Sequence, residues 1–127
     1  MRIEHIALWV EDLERVRDFY RTYFGARSNE RYHNPRKQFQ SYFLSFADGA
    51  RLELMQQPDI PPRDGPAERM GLTHLAISLG SRAAVDELTE RLRADGYPVV
   101  GEPRLTGDGY YESVVLDPEG NRLELTV

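Results

Sequence analysis

The sequence predicts an α+β fold: two paired βαβββ modules whose sheets form one curved, mixed-sheet cup. Three observations carry the prediction. An internal repeat aligns "IEHIALWV" (Ile3 to Val10) with "LTHLAISL" (Leu72 to Leu79), so that His5 falls on His74. Each of these strand-like stretches leads into a helix signal, and each helix is followed by three strand-like runs. Between the halves, "PDIPPRDGPAERMG" (Pro58 to Gly71) holds four of the chain's eight prolines and reads as a stiff, exposed linker. The expected organisation is a single domain, with module one at 1–57, the linker at 58–71 and module two at 72–127.

The elements follow in order. In the first half Asp12 is placed to cap a helix, Leu13, Val16, Tyr20 and Tyr23 repeat at helical spacing, and Gly25 sits where a C-terminal cap belongs. In the second half Ser81 caps, Val85, Leu88 and Leu92 repeat, and Gly96 closes. Strands are expected over 26–32, 38–46 and 51–56, and again over 98–104, 110–116 and 121–127. "ADGA" and "DPEGN" supply turn chemistry before the last strand of each half. One helix covers one face of a four-stranded sheet, and pairing the two sheets would cover much of the other.

Composition narrows the function. The chain has 127 residues and is 40% hydrophobic and 29% charged, ordinary values for one globular domain. A net charge of −5 argues against a nucleic-acid partner, which would meet a basic face. With no cysteine there are no disulfides, thiolate nucleophiles or Cys-based metal sites. No apolar stretch reaches the roughly 18 residues of a membrane span, and "MRIEHIALWV" lacks the features of a signal peptide. A soluble, cytoplasmic protein acting on a small molecule is the expectation.

Strand alternation then gathers chemistry on one side. His5, Ala7 and Trp9 share a face of the first strand, and Ile6 and Leu8 suit the helix-facing side. In "RLELM" and "RLEL" the leucines suit the helix, which sends Glu53 and Glu124 to the opposite face. His74 follows His5 by the same logic. Each glutamate comes 48 or 50 positions after its histidine (53 − 5 and 124 − 74). Singly, a strand glutamate is solvent-facing and a strand histidine is packing. The repetition of both at equivalent positions points instead to a metal site of His5, Glu53, His74 and Glu124. Two imidazoles and two carboxylates suit a borderline divalent ion such as zinc, nickel, cobalt, manganese or iron(II). Such an ion can take up the charge of an enediolate as a C–H beside a carbonyl loses its proton, with a carboxylate at its edge as the base. Tyr42, Tyr110, Tyr111 and Ser113 are candidates to line the cup. Arg51 and Arg122 share the faces of the glutamates, and His33 reads as surface.

At these residues the sequence resembles the vicinal oxygen chelate superfamily and, within it, glyoxalase I-like proteins. The resemblance rests on "EHIALWVEDLERVRDFY", "LELM", the Pro-rich linker, "GLTHLAISL" and "LDPEGNRLEL". It implies one divalent ion per site, zinc or nickel foremost, held by His5, Glu53, His74 and Glu124. It further implies a glyoxalase-like isomerisation, turning the thiohemiacetal of an α-oxoaldehyde into a thioester through a metal-bound enediolate. Glu124 is the favoured base and Glu53 the alternative. A symmetric homodimer is implied as well, with the site within one chain or shared across two. The acyl-CoA epimerases, dioxygenases and antibiotic-binding relatives of the same superfamily differ at the Glu53 position or lack the set, and they remain the competing readings. Two positions depart from glutathione-using enzymes: Trp9 stands where an arginine holds a glutathione carboxylate, and Gln57 stands for an asparagine. Losing that charge-assisted contact, worth about 1.5–3 kcal/mol, implies a more apolar substrate if Trp9 faces the cup.

Overall fold

The computed structural model describes residues 1–62 and 70–127. Part of the expected linker, 63–69, lies outside the described residues. Contacts divide the chain into two compact units, Met1–Gly65 and Pro66–Val127.

The first unit runs β1 (His5–Trp9), α1 (Leu13–Phe24), β2 (Arg27–Ser28), β3 (Tyr32–Asn34), β4 (Phe39–Ser45) and β5 (Arg51–Gln56). Asp12 is extended, and its carboxylate accepts from the backbone N–H of Arg15 at 3.0 Å, satisfying one of the free donors of the first helical turn. Gly25 ends the helix at φ +62°, a left-handed conformation that glycine adopts without steric cost. The helix buries Leu13, Val16, Phe19 and Tyr20. Against them the sheet turns Leu8, Tyr42, Leu44, Leu52 and Leu54, all buried. Each fully buried leucine contributes roughly 1.5–3 kcal/mol.

Strand order is β1-β5-β4-β2, with β3 also on β4. β1 and β5, the first and last strands, pair in parallel; β2, β3 and β5 each run antiparallel to β4. The single strand expected over 26–32 is instead two short ones. Asn29 causes the break. Its N–H donates to the Phe43 carbonyl at 3.1 Å, but its side-chain oxygen, rather than its backbone carbonyl, accepts from the Phe43 N–H at 2.8 Å. A side chain that replaces the ladder carbonyl ends regular pairing there.

The second unit runs β6 (Leu75–Ser78), α2 (Arg82–Ala94), β7 (Val99–Leu105), β8 (Tyr111–Leu116) and β9 (Arg122–Thr126), in sheet order β6-β9-β8-β7. Ser81 caps α2 through the Ala84 N–H at 3.2 Å. The helix packs Val85, Thr89 and Leu92 against Val115, Leu123 and Leu125, none of them measurably exposed. A polar pair sits inside this layer: Thr89 Oγ1 meets Ser113 Oγ at 2.7 Å and donates to the Val85 carbonyl at 2.6 Å. The turn before β9 is tied by buried Asp117, whose carboxylate accepts from the Glu119 and Asn121 N–H groups and from the Asn121 amide, each at 2.9 Å. That turn sets the β8–β9 register and thereby the position of Glu124. Among the described residues no helix is long and apolar enough to cross a membrane.

Candidate metal centre

In the first unit the pairing register carries His5 and Glu53 to the sheet face away from α1. Leu52 and Leu54 point to the helix, so Glu53 between them points away, opposite Ala7 on β1 and Phe43 on β4. His5 lies two residues before Ala7 on the same face. Its Nε2 stands 3.7 Å from Glu53 Oε2, with the imidazole 40% and the glutamate side chain 15% exposed. The Phe43 ring meets the His5 ring edge-on at a 5.4 Å centroid distance.

The second unit repeats the arrangement. Glu124 lies opposite Ala76 on β6 and Val114 on β8. His74 Nε2 is 3.5 Å from Glu124 Oε2, and the two side chains are 40% and 19% exposed. Two donors on one ion about 2.1 Å from each would stand roughly 3–3.4 Å apart. The two pairs, at 3.7 and 3.5 Å, are a little wider than that spacing, and imidazole and carboxylate are donors that suit a borderline divalent ion. The alanines at equivalent positions matter here. A methyl group beside each glutamate leaves the carboxylate open on that side. Each unit supplies one such pair, and among the described residues no group of three or more His, Asp or Glu gathers in metal-holding geometry.

Other expected site residues divide. Trp9 shares the His5 face, is 43% exposed and meets Phe39 edge-on at 6.1 Å; Phe39 in turn lies 6.1 Å from Tyr32. Gln57 follows the end of β5 and is half-buried. Tyr42 and Tyr111 are corrections, because both lie on the helix side. Tyr42 is opposite Leu54 and buried; it donates to Glu14 at 2.8 Å and accepts from Arg17 at 2.8 Å. Burial, with the bond to Glu14, raises its pKa. The Tyr111 hydroxyl donates to Asp86 of α2 at 2.7 Å under the Arg82 guanidinium, and this bond raises its pKa. Ser113 is buried against Thr89. The sheet register decides these faces, and alternation within a single strand could not. His33 is exposed on β3.

Two acidic residues belong to these faces and were not expected there. Glu4 accepts from His5 Nδ1 at 2.5 Å and from Arg51 Nε at 2.7 Å. The bond to His5 holds the Glu4 carboxyl below its usual range, with Arg51 helping. Arg51 also stacks its guanidinium 4.3 Å over the Phe43 ring. In the second unit Glu112 alternates with Ser113 onto the Glu124 face and is 12% exposed, with Arg104 at 3.6 Å. Burial, and then the neighbouring Glu124 carboxylate, push its pKa up. The β8–β9 register, which sets Ser113 opposite Leu125 and Val114 opposite Glu124, turns Glu112 to the Glu124 face.

A family model described as Glyoxalase/Bleomycin resistance protein/Dioxygenase superfamily matches residues 2–125. The Bacillus subtilis protein YqjT, itself uncharacterised, is 32% identical over 128 residues, covering 97% of this chain and 96% of its own. Lactoylglutathione lyase GLX1 of Arabidopsis thaliana is 30% identical over 98% of this chain. A V278E variant of Zea mays glyoxalase I superposes with a TM-score of 0.80 at 25% identity over 98% of this chain. The chain spans less than half the length of these two plant proteins, 43% and 44%.

Proposed function

The chain belongs to the Glyoxalase/Bleomycin resistance protein/Dioxygenase superfamily, and from that premise we propose that it is a metal-dependent lyase or isomerase of glyoxalase I type. The observation that carries the reading is the repeated His–Glu pair, with its donor atoms 3.7 Å apart in one unit and 3.5 Å in the other. His5 and His74 would hold one divalent ion, zinc or nickel, through Nε2, together with Glu53 and Glu124. Bound there, a divalent ion supplies Lewis-acid stabilisation of charge developing on two neighbouring substrate oxygens. The chain's own residues do the rest. Glu124 takes the proton from the carbon beside the carbonyl and returns it to the adjacent carbon, with Glu53 as the alternative base. Trp9, where an arginine would grip a glutathione carboxylate, favours a thiohemiacetal with a more apolar thiol, and Gln57, just past the end of β5, offers an amide in place of the asparagine of glutathione-using enzymes.

The two modules act as one domain in this reading, and the protein is a cytoplasmic homodimer without nucleic-acid or membrane partners. His5 and Glu53 of one protomer face the partner's His74 and the partner's Glu124. Mixing inactive His5→Ala chains with inactive His74→Ala chains tests the sharing: exchanged dimers regain one intact site and activity returns, whereas a site within one chain gives no recovery. Metal analysis of protein purified without chelator, followed by a panel of thiohemiacetals, tests the function itself. About one zinc or nickel per chain with turnover of at least one thiohemiacetal is expected; metal-free protein, or content unchanged by His5→Ala and His74→Ala, removes the site.

The aromatic row of Trp9, Phe39 and Tyr32 favours a second reading, a module that binds a flat apolar molecule without turning it over. Tight, metal-independent quenching of the chain's single tryptophan by such a molecule, with no turnover, would select it.

A further inference from the structure

The two histidines have different neighbours in the chain. His74 follows Thr73 in the sequence, whereas His5 follows Glu4. Glu4 Oε2 lies 2.5 Å from His5 Nδ1, and Glu4 Oε1 accepts from Arg51 Nε at 2.7 Å, with an Arg51 terminal nitrogen in contact as well. Arg51 is the register partner of His5 on β5, so the sheet itself brings the three side chains together. Its guanidinium is further fixed over Phe43, whose ring stands at 82° to the imidazole. The result is a closed set of contacts in which one ring nitrogen of His5 is occupied. The other, Nε2, is directed at Glu53.

A neutral imidazole carries one N–H, and its position is set by the partner of the other nitrogen. A carboxylate can only accept. Both ring nitrogens face a carboxylate, but Glu4 is within hydrogen-bond distance of Nδ1 at 2.5 Å while Glu53 stands 3.7 Å from Nε2. Glu4 thus selects the tautomer with hydrogen on Nδ1 and leaves the Nε2 lone pair for an ion, the form a metal ligand requires. We propose that Glu4, steadied by Arg51, is a positioning residue that presents His5 Nε2 to the ion beside Glu53, making the first unit's pair the preorganised half of the site. This rests on the metal reading given above for what the lone pair engages, but not for the tautomer itself.

The experiment is long-range ¹⁵N–¹H NMR of the imidazoles in chelator-treated protein, above the pH at which the rings lose their charge. Three histidines give three resolvable patterns, and His74 serves as the internal reference. His5 is expected as the Nδ1–H tautomer in the wild type. Glu4→Gln, whose amide oxygen still accepts, keeps it; Glu4→Ala moves His5 toward the Nε2–H form and leaves His74 unchanged. Zinc affinity should fall about 10–100-fold in Glu4→Ala, with recovery in Glu4→Gln. An Nε2–H tautomer in the wild type, or no change in Glu4→Ala, overturns the proposal. A correct tautomer response in a protein that binds no zinc would instead remove the metal reading and leave the role of Glu4 on His5 standing.

Discussion

The two units carry the same ligand pair at equivalent places, a histidine at the start of β1 or just before β6 and a glutamate on β5 or β9, and surround it with different chemistry. In both, a parallel pairing of first and last strand sets a histidine near a glutamate, with an alanine opposite the carboxylate. Around the first pair stand Glu4, Arg51 and Phe43; around the second stands Glu112. The helix contacts differ too, with a Tyr42 hydroxyl reaching Glu14 and Arg17 in one unit and a Thr89–Ser113 pair in the other. The difference teaches that the repeat fixes where donor atoms sit, while neighbouring residues decide what each donor does. An accepting group with a positioned partner is suited to hold an ion. A carboxylate beside a second carboxylate is suited to exchange protons.

The largest contrast between the units is expected from substituting their equivalent glutamates. Glu124→Gln should lower kcat by roughly 10²–10⁴ while retaining some metal, and Glu53→Gln should cost less. Steady-state kinetics on the best substrate of the panel decides it, and a reversed order assigns the base to the first unit. Next in size are the cores. Leu54→Ala and Leu125→Ala each remove a wholly buried side chain and should each cost about 2–5 kcal/mol in denaturant unfolding. Unequal losses, or two separate transitions, would mean that the units differ in stability as well as in chemistry.

Smaller effects sharpen the contrast between the helix contacts. Thr89→Val leaves buried Ser113 Oγ without its partner and should cost about 1–3 kcal/mol, whereas Tyr42→Phe leaves Arg17 and Glu14, which are partly exposed and can bond water instead, and should cost less. Equal losses in the same unfolding assay would erase that distinction. The smallest effect concerns Glu112. Its folded pKa is raised, so the folded state holds the Glu112 proton more tightly than the unfolded chain does. Stability is lost as pH rises from the unfolded value, about 4.3, through the folded one. In chelator-treated protein Glu112→Gln should therefore be the more stable form at neutral pH, and the advantage should vanish as pH falls below that unfolded value. An advantage that persists in acid would mean that packing, not charge, is responsible.

How much of this could be read from the chain follows from what each signal depends on. His5, Glu53, His74 and Glu124 fell on one face of their sheets because Leu52, Leu54, Leu123 and Leu125 anchor the parity of β5 and β9, and helix packing leaves those leucines no other side. Both helices begin at the capping residues expected of them, since an N-cap is a local event between a side chain and an N–H three residues on. Tyr42 and Tyr111 were misplaced because a strand rich in tyrosine and serine has no parity of its own; only pairing with Leu54 and Leu125 reveals it. Glu4 was missed for the opposite reason. Alternation sends it away from His5, but at the open end of β1 its side chain is free to turn back to the ring. The split of the second strand depends on one side-chain oxygen of Asn29 taking a backbone position, which no periodicity records.

The parallel pairing of β1 with β5 and of β6 with β9 has a consequence for how the molecule is made. In each unit the histidine arrives with the first strand and the glutamate with the last, so the donor pair is closed by the contact of longest sequence separation in that unit. Non-local parallel pairing carries its loop-closure entropy before any contact rewards it and is slow for that reason. The His–Glu pair of each unit therefore rests on the pairing that costs that unit the most loop-closure entropy.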